Sequence, residues 1–155
     1  MYTAVLGLHS LMRWIILAAL GWALWRGARG WRRSEEADAR ARKHVEICIG
    51  VTNIQLLLGG ALYLFMTPWL AAVRMSPAAS MRDELVRFYA VEHPLTMFVA
   101  LAVLHVTGAR FRSAEVGRVA WRRLTLGFGL ATILILASIP WPFWWFGRPL
   151  LPFSG

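Results

Sequence analysis

Residues 4–25 read AVLGLHSLMRWIILAALGWALW, and residues 26–43 read RGARGWRRSEEADARARK. The first stretch is 22 residues long with one charged side chain, Arg13; the second carries seven lysines and arginines. At the helical rise of about 1.5 Å per residue, an apolar run of roughly 20 residues matches the hydrocarbon thickness of a bilayer. An arginine-rich segment directly behind it marks where the chain leaves the lipid on the cytoplasmic side. The alternation recurs along the chain, with further apolar blocks at about 45–66, 89–108 and 124–145. Backbone N–H and C=O groups find no partner in lipid, so each block is predicted to be a helix. The 155 residues are 58% hydrophobic and 16% charged, whereas about a quarter of a soluble domain is charged. The expectation is a single all-α domain: an integral membrane antiparallel four-helix bundle with spans at about 4–25, 45–66, 89–108 and 124–145 and little outside them.

Orientation follows from the basic residues. Segments 26–43 and 109–123 hold seven and five lysines or arginines, against three in 67–87, one in the C-terminal tail and none in the N-terminal tail. The positive-inside bias puts the first two segments in the cytoplasm and both termini on the outer face. The net charge of +9 then describes membrane flanks and excludes a nucleic-acid surface. The lone cysteine, Cys48, lies in the second block and excludes an intramolecular disulfide. The first block has no basic lead-in and no small-residue cleavage site, so it reads as a retained span. The run Pro140-Trp141-Pro142-Phe143-Trp144-Trp145-Phe146 belongs at the outer headgroup level, where its prolines unwind or kink the fourth helix. A helical stretch in the outer loop, capped by Ser80 and with Asp83 and Glu84 near its positive end, is expected to run into the third span.

Counting residues from the cytoplasmic basic ends gives depth. His9 lies 17 residues before Arg26, and His93 lies 17 before Arg110, so two imidazoles on different helices share a level near the outer face. A bis-histidine haem needs that arrangement, one imidazole on each side of the iron. Two interfacial histidines bonded to water, headgroups or backbone would show it too. His44 adjoins Lys43 and reads as interfacial, while His105 falls near the level of Glu46, to which a hydrogen bond is expected. Arg13 costs at least about 2.5–3.5 kcal/mol inside a span. It should therefore face the bundle in a cluster with Gln55 and Glu92, as a clasp or as a site for a haem propionate, a quinone carbonyl or a lipid headgroup. Pro94 disfavours helical geometry at His93 and should kink or start the helix there, turning His93 inward with Met97 on the same side. Gly59, Gly60, Ala100, Gly127 and Ala131 are small enough to mark helix contacts. The chain has no Gly-rich phosphate loop, no cysteine pair, no Ser–His–Asp set and no repeated half with broken helices.

Leu8-His9-Ser10 with Arg13-Trp14, Gln55-Leu56-Leu57 with Gly59 and Tyr63, Val91-Glu92-His93-Pro94 with Met97, and Ser138-Ile139-Pro140-Trp141-Pro142 together resemble a family of small bacterial four-helix membrane proteins often labelled cytochrome b-like. The resemblance covers all four spans. It implies a multi-pass protein of the bacterial cytoplasmic (inner) membrane, b-type haem and electron transfer. It points to His9 and His93 as metal ligands, with His105 a further candidate and Asn53 standing where some members have histidine. A haem held there would have Arg13 and Glu92 as neighbours, one adding positive charge and the other able to hydrogen-bond an imidazole. Two functional readings stand: a small subunit of a larger membrane electron-transfer or bioenergetic complex, with or without haem b, and a stand-alone b-type cytochrome passing electrons from quinol to a partner. A small transporter or channel is a third, resting only on Arg13 and Glu92. The expected partners are the lipid bilayer, other membrane subunits and quinone.

Overall fold

A computed structural model describes residues 1–36, 39–113 and 117–149. Helix α1 spans Tyr2–Arg33, and α2 spans Ala39–Ala61 before running into a π-helical turn, Leu62–Met66. Short helices α3 (Trp69–Met75) and α4 (Pro77–Arg82) follow. Helix α5 (Glu84–Arg87) leads through a second π-turn, Phe88–Glu92, into α6 (His93–Ser113), and α7 spans Arg118–Ser138. The described residues are helical throughout their regular structure, with no strand. Four continuous lengths, Tyr2–Arg33, Ala39–Met66, Glu84–Ser113 and Arg118–Ser138, are long and apolar enough to cross a membrane.

The helices overrun the expected spans where arginine, a good helix former, continues the turn beyond the apolar run. Helix α1 stops only where Ser34 adopts the left-handed conformation, with φ 51°. The fourth helix ends early, at Ser138. Pro140 forces Ile139 into extended geometry (ψ 130°), so the Trp-rich segment lies outside the helix. In the segment between the second and third long helices the cap is Asp83 rather than Ser80: the Val86 N–H donates to Asp83 Oδ1 at 2.9 Å, while Ser80 is buried within α4. As expected, that stretch continues into the third long helix.

Helix α1 packs against α2 and α7, and α6 packs against the same two. Small residues set the close approaches. The Trp121 indole lies on Gly30, Ile49 on Gly108, Thr107 on Gly127 and Thr125 on Gly27. Leu20, Leu104, Trp121, Phe128, Ala100 and Ala131 are fully buried along these seams. On the outside, Leu57, Phe98 and Ile133 are 73%, 62% and 65% exposed. Helices apolar on every side suit a lipid surround, where such side chains meet acyl chains and not water.

The loop end of α1 is tied down by one residue. Glu35 takes ion pairs from Arg26 and from Arg29, the latter at 3.1 Å, and its backbone carbonyl accepts the Trp121 indole N–H at 2.7 Å. Hydrogen bonds from Arg29 and Arg26 hold the Glu35 carboxyl below the usual carboxylate range. Arg26 also lies over the Trp121 ring, 4.8 Å from its centre.

The register of α2 against α6 corrects one expectation. Arg42 donates to the Arg112 carbonyl, so Arg112 and not Arg110 sits level with the basic end of α2. His105 meets Asn53, with its Nε2–H donating to Asn53 Oδ1 at 2.9 Å. Glu46, two turns nearer the basic end, pairs instead with Lys43 at 3.7 Å.

Candidate functional site

Prolines build the site by freeing carbonyls. A proline has no N–H, so the carbonyl four residues before it loses its helical partner. Pro94 frees the carbonyl of buried Ala90, and the Tyr63 hydroxyl donates to it at 3.0 Å. The expected kink is absorbed by the π-turn Phe88–Glu92, and α6 begins at His93. Pro140 frees the Leu136 carbonyl, which accepts the Trp141 indole N–H at 2.9 Å. Helix α7 ends at Ser138, so the Ser138 carbonyl has no helical donor, and His93 Nδ1–H donates to it at 2.8 Å. A carbonyl can only accept, so the proton of neutral His93 sits on Nδ1 and its Nε2 keeps a lone pair.

His9 stands opposite. The two imidazole centres are 6.5 Å apart with their planes at 72°. The His9 ring rests against Gly59, where an added Cβ would meet its Cε1 at 3.0 Å. The His9 backbone carbonyl accepts from Gln55 Nε2 at 2.9 Å, which ties this turn of α1 to α2. His9 Nδ1 is buried with no hydrogen-bond partner among the described residues, as are Gln55 Oε1 and Thr67 Oγ1. All three residues line a cavity of about 220 Å³ at the end of the long helices where α1 begins and α7 ends.

That cavity collects Arg13, Gln55, Tyr63, Met97 and both histidines, together with three groups that sequence reasoning missed: Tyr2, Tyr89 and Arg148. Arg13 is only 9% exposed, and its Nη2 donates to the Pro149 carbonyl at 3.5 Å. Glu92 does not join them. Its carboxylate takes Arg87 Nε at 2.7 Å on a half-exposed surface. His93 faces inward, and its neighbour one residue earlier is turned about 100° away around the helix, so the expected Arg13–Gln55–Glu92 cluster keeps only its first two members. His44 lies against Trp22 at 6.3 Å, and neither it nor His105 lines the cavity.

The cavity's residues suit a haem. Two imidazoles on opposite sides of one metal ion, each nitrogen about 2 Å from it, have ring centres about 6 Å apart. The observed spacing is close to that; His9 Nδ1 has no hydrogen-bond partner among the described residues, and the Ser138 bond uses His93 Nδ1 and not Nε2. Gly60, where an added Cβ would meet nothing within 4 Å, leaves one wall open. The enclosed space is smaller than the roughly 300–1,000 Å³ of typical ligand pockets.

The Tyr63 bond gives a direct test of this construction. Tyr63→Phe leaves the Ala90 carbonyl buried without its donor and should cost about 1–3 kcal/mol of stability in detergent. Adding Pro94→Ala restores a backbone N–H and should recover much of that loss. An unchanged unfolding midpoint for Tyr63→Phe would show that the proline-freed carbonyl needs no partner.

No protein-family model, no curated protein and no solved structure matches the chain.

Proposed function

We propose that the protein is a membrane electron-transfer component that holds one b-type haem between His9 and His93. The observation that carries this reading is the pair of imidazoles at 6.5 Å in a largely apolar cavity, one with its tautomer set by the Ser138 carbonyl. The haem supplies reversible one-electron chemistry when bound. The chain's own residues do the rest. The Ser138 carbonyl orients His93 and makes it a stronger donor, as outer-shell acceptors do for metal-bound imidazoles. Gln55 fixes the backbone at His9, Gly59 gives its ring room, and Ile16, Leu101 and Ile135 help exclude water.

One cofactor position makes a relay and not a complete catalyst. In this reading the chain works inside a larger membrane electron-transfer assembly, with quinone or a neighbouring subunit as its partner. It is an antiparallel bundle in the bacterial cytoplasmic membrane with both termini outside, supported by the arginine-rich segments 26–43 and 109–123. The site then lies near the outer face.

An absorption spectrum of the purified protein, oxidised and then dithionite-reduced, tests the cofactor. A sharp low-spin b-type change is expected. No haem absorption in protein from haem-replete cells would leave His9 and His93 as an edge-to-face ring pair, which the same spacing also suits. Reporter fusions test the topology: a reporter after Gly155 should read as external, and a cytoplasmic signal would invert the arrangement.

A further inference from the structure

We propose that Arg148 is the carboxylate-binding residue of this cavity and receives a propionate of the porphyrin, an inference that rests on the haem reading above. Among the described residues no aspartate, glutamate or lysine lines the cavity, and its cationic side chains are Arg13 and Arg148. Arg148 has a phenol for a partner. Its Nε donates to the Tyr89 hydroxyl at 3.2 Å, and its guanidinium carbon stands 5.2 Å from the Tyr89 ring centre. A guanidinium has five N–H donors in a fork that matches a carboxylate, so donors remain for a ligand.

The position is built by the backbone. The Arg148 N–H donates to the Pro140 carbonyl at 3.0 Å, folding residues 140–148 back on themselves. Gly147 allows the fold, because a Cβ there would run into the Trp141 carbonyl. Tyr89 is held in turn: its hydroxyl donates to the Phe146 carbonyl at 3.0 Å, and Trp69 stacks on its ring at 5.4 Å. The carbonyl that orients His93 belongs to Ser138, and the one that anchors Arg148 belongs to Pro140. One turn of chain therefore places both an imidazole and a cation at the same cavity. A flat apolar macrocycle with acidic arms has a complement at each part of this site.

The test compares haem b with its dimethyl ester, which keeps the macrocycle and iron and removes both negative charges. Full-length haem-free protein in nanodiscs is titrated with each, following the absorption band. The wild type should bind the acid about 10–100-fold more tightly than the ester, the range of a charge-assisted hydrogen bond. Arg148→Gln should bring that ratio close to one, chiefly by weakening the acid, and Arg148→Lys should keep part of it. The ligand comparison on the wild type needs no variant to fold. Equal wild-type affinities would overturn the carboxylate assignment and leave the haem reading standing. A preference that persists in Arg148→Gln would move the assignment to another residue. Binding of neither porphyrin would remove the haem reading, and this inference with it.

Discussion

With haem held as proposed, His93→Ala should abolish the low-spin b-type absorption expected of the purified protein, and His9→Ala should abolish it independently. A low-spin bis-imidazole iron needs both rings, so either deletion removes the whole signal and not half of it. The two are the histidines lining the cavity, on α1 and at the start of α6. His44→Ala and His105→Ala should leave the spectrum unchanged, because one ring lies against Trp22 and the other is bonded to Asn53. Reduced-minus-oxidised spectra of the four variants decide it. Loss of the signal in His105→Ala with His9→Ala intact would move the ligand to the other end of α6.

The largest effect on stability is expected at the opposite end of the molecule. Trp121 is fully buried, lies on Gly30, packs 4.9 Å from Phe111 and donates its indole N–H to the Glu35 carbonyl. Truncating a buried tryptophan leaves a cavity and here also an unpaired carbonyl, so Trp121→Ala should cost about 3–5 kcal/mol. Gly30→Val attacks the same contact from the other side by placing a side chain inside the indole. Unfolding in detergent measures both. The haem spectrum should survive in the fraction that remains folded, because Trp121 and the histidine pair occupy opposite ends of the long helices. A loss below about 1 kcal/mol in Trp121→Ala would show that α1 and α7 do not depend on this contact.

The long helices were legible because a bilayer imposes a length on apolar runs, and four such runs are plain in the chain. Their ends were not, since arginines continue a helix into water and Pro140 stops one inside an apolar segment. Equal counting from Arg26 and Arg110 put His9 and His93 at one level, and their rings do face each other. The same counting missed for His105, whose ring bonds Asn53, two turns beyond Glu46 on α2. Glu92 was misplaced because it directly precedes His93: once His93 faces the cavity, its neighbour is turned about 100° away, where it pairs with Arg87. Arg148 was invisible as a site residue. It lies beyond the last helix, where spacing says nothing about direction, and its only signal is Gly147 between an aromatic run and an isolated basic residue.

The bond from His93 to the Ser138 carbonyl also sets an order of assembly. A ribosome feeding this chain into a membrane delivers both imidazoles well before residue 138 emerges. Until then the carbonyl that fixes the His93 tautomer does not exist, and neither does the tail that carries Arg148. The cavity is therefore complete only once residues 138–148 have folded over this end of the helices. A nascent chain stalled after α6 would hold two histidines and no finished pocket.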